Sequence, residues 1–262
     1  MKSSREIAST YRSIAKTKCS LSAGSAFLSA IYAGGFIALG AFGSQIVSCS
    51  IQDPGAARLA GALVFPVGLT MVLTVGTELF TGNNLMILPL LEHEISPKDV
   101  LKNWGIVYLG NLVGSLIIAL LVVYSHLPSL FHGALAQTMI TASLAKTSLS
   151  FSEALLRGIL CNMLVCLAVW CAFSAQEQAG KVISLYLPTM LFVLCGFEHS
   201  IANMYFIPAG ILTASAQGSA AGIALSDVLI RNLLPVTIGN LIGGAFIIGA
   251  GFFLLFGSHE RS

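Results

Sequence analysis

Charged residues in this 262-residue chain fall into short clusters separated by long uncharged stretches, and that spacing restricts the fold more than any single motif. No acid or base occurs between Lys18 and Asp53, Lys102 and Lys146, Arg157 and Glu177, or Arg231 and Glu260. One acid interrupts each of the stretches from Arg58 to Glu92 and from Lys181 to Asp227. A bilayer crossing needs roughly 20 apolar residues, so six such stretches predict an all-α membrane protein with six transmembrane helices. The charged fraction of 9%, against about 25% in soluble domains, excludes a soluble reading.

The basic residues orient the crossings. With the N-terminus inside, nine of them (Lys2, Arg5, Arg12, Lys16, Lys18, Lys98, Lys102, Lys181 and Arg261) are cytoplasmic, and Arg58, Lys146, Arg157 and Arg231 are outside. Positive charge favours the inner face, which predicts an inner (cytoplasmic) membrane protein with both termini cytoplasmic. Residues 1–18 are polar and basic over too long a run for a signal peptide and read as a cytoplasmic surface helix. Residues 19–257 then form one transmembrane domain, and 258–262 a short tail.

Two polar stretches repeat. GTELFTGNN at 76–84 aligns without gaps on GFEHSIANM at 196–204, matching Gly76 with Gly196, Glu78 with Glu198 and Asn83 with Asn203. NWGIVYLGNLVGS at 103–115 aligns with NLLPVTIGNLIGG at 232–244, matching Asn103, Gly110, Asn111 and Gly114 with Asn232, Gly239, Asn240 and Gly243. A weaker match pairs Ser20-Leu-Ser22 with Ser150-Phe-Ser152. Each half, about 19–128 and 149–257, holds three spans, and an odd number sends the second copy in from the opposite side. The expectation is a 3+3 inverted repeat, an arrangement typical of transport proteins.

The first pair of matched stretches lies inside apolar runs of more than 30 residues, about 45 Å as one helix against a hydrocarbon core of about 30 Å. The second and fifth helices are therefore expected to break. Irregular backbone at membrane depth survives only when buried in protein or lining a cavity, so both breaks should face a pore. Gly110-x-x-x-Gly114 and Gly239-x-x-x-Gly243 are close-packing patterns, and Asn111 and Asn240 either line a pore or, the favoured expectation, bond the broken backbone next door.

Intramembrane ionisable groups mark transport paths. Glu198 and His199 would point about 100° apart on a regular helix, so one faces the pore while the other ties down structure. Glu78 and Glu198 are expected to brace the broken backbone by accepting N–H bonds. Lys146, in the polar segment TMITASLAKTSLS, reads either as an interfacial lysine that snorkels or as a pore cation that concentrates anions. Cys161, Cys166 and Cys171 recur every five residues, which turns successive side chains about 140° apart on a helix, so they read as packing residues. The histidines are scattered, and neither a metal nor a cofactor is expected. An enzyme is not indicated, for want of a nucleophile or ligand constellation.

GTELFTGNN, the run AKTSLSFSEALLRGILCNMLVCLAVW at 145–170 and GFEHSIANMYFIPAG at 196–210 together resemble the formate/nitrite transporter family over about residues 10–257. The resemblance implies an aquaporin-like fold, a homopentamer with one pore per protomer, and passage of small monovalent anions such as formate, nitrite or hydrosulfide. It implies that Thr81 and His199 meet at the pore centre, that Lys146 is the pore-near lysine, and that Asn162 is a polar residue of the fourth span. Leu69 and Leu79 would narrow the cytoplasmic side, and Phe65, Val165 and Phe192 the outer side. Gly82-Asn83-Asn84 departs from the small hydroxyl residues of formate-type members, and the chain is most similar to the hydrosulfide-channel branch, which makes hydrosulfide the leading expected substrate, with formate and nitrite still open.

A bare anion in an apolar slit loses its water at great cost. Two routes relieve it: charge, dipoles and hydrogen bonds from Lys146, the half-helices, Thr81 and His199, or protonation of the anion through His199. A neutral-solute pore of the aquaporin type shares the fold, but the paired Asn-Pro-Ala motifs are absent from this sequence.

Overall fold

The computed structural model describes residues 1–257; the expected tail at 258–262 lies outside them. Among the described residues the chain is helical and contains no strand. The first helix, α1 (Ser4–Ser20), begins at a capping box in which Ser3 and Glu6 satisfy each other's backbone N–H groups. Its Ile7, Ala8, Tyr11 and Ala15 form one buried stripe, so it is docked onto the body. The Lys2 N–H also donates to the Ser174 carbonyl, at 2.8 Å.

Among the described residues nine further helices follow, besides two single 3-10 turns at Leu127–Ser129 and Phe131–Gly133: α2 (Ala23–Ser48), α3 (Pro54–Val75), α4 (Phe80–Leu91), α5 (Pro97–Tyr124), α6 (Ala134–Thr147), α7 (Phe151–Ser174), α8 (Gln178–Leu194), α9 (Ser200–Ala216) and α10 (Asp227–Phe256). Five of them, α2, α3, α5, α7 and α10, are long and apolar enough to cross a membrane. Starts are set by local chemistry: Ser22, Asp53, Ser96 and Ser150 each accept a backbone N–H from the first turn, and Pro54 and Pro97 sit where no helical N–H is needed. The polar segment around Lys146, which carried no element in the sequence reading, is helical through Thr147.

Packing falls into two similar sets of contacts. α2 lies along α5 and α3, while α7 lies along α10 and α8; α3 and α8 also touch each other, and α9 packs on α5 and α6. The close-packing patterns act as expected. A Cβ on Gly110 or Gly114 would collide with the α2 backbone at Phe27 and Ile31, and one on Gly239 or Gly243 with α7 at Leu155 and Ile159. α10 is widened into π-helical turns at Asp227–Leu233 and Ile242–Ala250, and at Gly244 it comes up against the Asn162 side chain.

Candidate functional site

The chain leaves helical conformation at Gly76 and Gly196, whose φ angles are +80° and +72°. Only glycine adopts this left-handed backbone freely. In both places the next N–H reaches back five residues, from Thr77 to the Val72 carbonyl and from Phe197 to the Phe192 carbonyl, which satisfies the exposed helix end. Residues 76–79 and 196–199 then run without helix until α4 and α9 begin.

Each of these segments is held by one asparagine amide. Asn111 Oδ1 accepts from the Phe80 N–H at 3.0 Å, and its Nδ2 donates to the Ala30 and Glu78 carbonyls at 2.7 and 2.9 Å. Asn240 Oδ1 accepts from the Ser200 N–H at 2.9 Å, and its Nδ2 donates to the Gly158 and Glu198 carbonyls at 2.8 and 3.0 Å. Backbone groups that would otherwise be buried unpaired are thereby satisfied.

The two buried carboxylates behave differently from the sequence expectation. Neither braces the backbone by accepting N–H bonds, because the asparagines and Ser29 take that role. Glu78 instead accepts from Lys18 Nζ and Asn83 Nδ2, both at 2.7 Å, and Asn83 also donates to Asn103 Oδ1 at 2.8 Å. Glu198 accepts from Lys146 Nζ at 3.0 and 3.1 Å and from Asn203 Nδ2 at 2.6 Å, and Asn203 also donates to Asn232 Oδ1 at 2.7 Å. Removing charges from water is costly unless they are paired and bonded, and here they are. Lys146 also stands 5.1 Å from the Phe206 ring centre.

Lys18 is the residue sequence reasoning missed. In the sequence it is one of several basic residues of the N-terminal segment, and the weak serine match sets Ser20, not Ser22, against Ser150. The helix caps are Ser22 and Ser150, an alignment two residues away from that one. Each cap is preceded four residues earlier by a lysine, Lys18 or Lys146. That spacing was the available signal.

Two cavities approach the middle of the protomer. One, of about 310 Å³, is lined by Lys146, Glu198, His199, Phe65 and Phe192 among others. The other, of about 410 Å³, is lined by Lys18, Glu78, Leu69, Leu79 and Phe173 among others. Successive positions of α3 serve both: Arg58, Gly61 and Phe65 face the Lys146 cavity, and Leu69, Val72 and Leu73 the Lys18 cavity. The Phe65 and Phe192 rings meet edge to face at 5.5 Å, and Phe192 stacks on the His199 ring at 5.8 Å. Val165 belongs to the same buried apolar cluster as Phe65 and Phe192 but lines neither of these cavities.

Thr81 is fully buried, and its Oγ1 lies 2.9 Å from His199 Nε2. His199 Nδ1 accepts the Ala202 N–H at 3.0 Å, so this nitrogen carries no proton. The ring proton of the neutral imidazole is then on Nε2 and is donated to Thr81. The threonine hydroxyl keeps its own proton free to donate. Asn162 also lines neither cavity; its amide donates to Asn84 Oδ1 and to the Asn240 carbonyl, both at 2.7 Å. Cys161 and Cys166 are buried free thiols, and among the described residues no cluster of potential metal ligands occurs.

The chain matches the formate/nitrite transporter family over residues 5–254. It is 40% identical to the uncharacterized transporter YrhG of Bacillus subtilis, over 87% of this chain and 84% of that protein. It is 37% identical to the formate channel FocA of Haemophilus influenzae, over 85% and 84% of the two chains. Among solved structures it is similar to a pentameric formate channel with formate bound, with a TM-score of 0.80 and 32% identity over 89% of this chain and 97% of that one. It is also similar to an FNT family ion channel, with a TM-score of 0.85 and 28% identity over 95% and 98%. These matches, with the helical membrane architecture, identify the chain as a member of the formate/nitrite transporter family.

Proposed function

We propose that the protein is an inner-membrane channel for small monovalent anions, with one path through each protomer of a homopentamer. Residues 19–257 act as the channel domain, with residues 1–18 docked against it and both termini cytoplasmic. The observation that carries this reading is the Thr81–His199 bond, which lies between two cavities each supplied with a Lys–Glu–Asn network. The matched networks and the matched glycines support an inverted 3+3 repeat, with α3–α4 and α8–α9 as the two broken spans.

Formate is the first anion to test, because the named relatives include formate channels and one similar structure holds formate within a pentamer. Nitrite and hydrosulfide are small enough to share the path. Phe65, Phe192, Leu69 and Leu79 supply its apolar walls, and the hydrogen-bond geometry of His199 favours relief of the desolvation cost by donors. An anion between the cavities meets the Thr81 hydroxyl proton and the N-terminal ends of α4 and α9, whose aligned peptide dipoles favour negative charge. Protonation through His199 requires the ring either to become an anion or to lose its bond to the Ala202 N–H, which weighs against it.

Purified protein in liposomes is expected to conduct formate, nitrite or hydrosulfide and to exclude sulfate, lactate and glycerol. Equal flux of glycerol and formate overturns the reading.

A further inference from the structure

The basic residues of the Lys146 cavity are not equally committed. Lys146 is paired with Glu198, and Arg157 lies 4.0 Å from Glu153. Arg58 lines the same cavity and is exposed, and among the described residues it takes part in no side-chain hydrogen bond or ion pair. Its position is nevertheless specific. A Cβ built on Gly196 would lie against Arg58 Nη1, with Cζ at 3.5 Å and Nη2 at 3.8 Å. The guanidinium therefore covers the bare backbone at the turn that leads to Glu198 and His199. The corresponding glycine, Gly76, has nothing within 4 Å of the same construction.

We propose that Arg58 is an anion-capture residue, presenting an unpaired guanidinium to small planar oxyanions at the mouth of the Lys146 cavity. It lies two helical turns, about 10 Å, from Phe65 on one face of α3, so an anion held there is poised before the aromatic slit. In this cavity Lys146 is offset by Glu198 and Arg157 by its neighbour Glu153, which leaves Arg58 as the uncompensated base, whereas Lys18 and Glu78 offset each other in the Lys18 cavity. Only the first cavity therefore concentrates anions by net charge. A guanidinium offers two parallel N–H groups that match the two oxygens of formate or nitrite. Hydrosulfide, with one heavy atom, responds to the charge alone.

This inference rests on the anion-channel reading, and two measurements keep their fates separate. The first is uptake by liposomes of wild type, R58Q and R58K at low and high salt. R58Q is expected to raise the half-saturating formate concentration roughly two- to fivefold at low salt, the size of effect expected of one partly exposed charge. The effect should shrink at high salt, where the charge is screened, and the maximal rate should stay within about twofold of wild type. R58K should restore hydrosulfide uptake more fully than formate uptake. The second measurement needs no flux: labelling of Arg58 by phenylglyoxal in the purified protein, read by mass spectrometry, should be slowed by formate or nitrite more than by equimolar chloride. Wild-type uptake with an unchanged half-saturation and salt slope in R58Q overturns the capture role, as does labelling insensitive to formate. Absence of all anion uptake in wild type overturns the channel reading, and the labelling result then decides Arg58 by itself.

Discussion

Thr81 Oγ1 lies 2.9 Å from His199 Nε2, and this one bond joins the first turn of α4 to the residue that caps α9. Thr81→Val keeps the side-chain shape, removes the hydroxyl proton and leaves the buried Nε2–H unpaired. Anion flux is expected to fall at least about tenfold, the loss of more than 1.4 kcal/mol of stabilisation along the path. Leaving a buried donor unpaired costs about 1–3 kcal/mol, read as a lowered midpoint of thermal unfolding. Unchanged flux in a folded variant removes Thr81 from the path.

His199→Phe tests what the imidazole does. The variant loses the donor to Thr81 and the acceptor for the Ala202 N–H, the latter a cap worth about 0.5–2 kcal/mol. If the ring acts as a donor, anion flux falls while the number of protons moved per anion stays as in wild type at every pH. A changed proton count identifies His199 as a relay instead. Pentamer size measured alongside separates either result from loss of assembly.

Phe192→Ala removes both the edge contact to Phe65 and the stack on His199. Widening of the slit is expected to admit lactate, measured as uptake of labelled acid. Truncating a buried aromatic costs about 3–5 kcal/mol, so Phe192→Leu serves as the folded comparison, with a smaller gain in lactate uptake. A substrate range unchanged in both variants takes Phe192 out of the constriction.

The Lys18–Glu78 pair is nearly buried, with side-chain exposures of 16% and 4%. Glu78→Gln strands the lysine and is expected to destabilise by about 3–5 kcal/mol. Combining it with Lys18→Met should recover part of that loss, because no buried charge is then left unpaired. Additive losses in the double variant, measured by denaturation in detergent, would show that the two residues do not interact.

Docking of α1 should depend on acid. Arg12 pairs with Glu92 at 2.5 Å, and Lys16 pairs with Glu94. The hydrogen bond and charge of Lys16 hold the Glu94 carboxyl below its ordinary value of 4.5. A lowered carboxylate contributes stability that is present above the unfolded value and lost as pH falls through the folded one. Amide exchange in α1 is therefore expected to accelerate, relative to α5, only below about pH 4.5. Equal relative protection at pH 7 and pH 3.5 contradicts this.

Much of the architecture was legible because apolar stretches of about span length are long signals. The positions of Gly76, Glu78 and Asn83 against Gly196, Glu198 and Asn203 could be read because they align without gaps. The fate of the glutamates could not. Whether a buried carboxylate takes backbone N–H groups or side-chain amides depends on which helix brings an asparagine alongside, and Asn103 and Asn232 arrive from α5 and α10. Lys18 was hidden by its neighbours, since a lysine in a basic, polar run looks solvated until α1 is docked. Arg58 was read as a loop charge for orienting the chain; its contact with Gly196 joins residues far apart in sequence through a turn whose shape the sequence alone does not specify.

The amide of Asn162 works as a keystone. One Nδ2 group is shared between Asn84, on α4, and the carbonyl of Asn240, whose side chain secures the start of α9. A shift of α4 at Asn84 therefore strains the anchor of α9, because both hang from the same nitrogen. The two short helices are thus geared together through a side chain that belongs to neither.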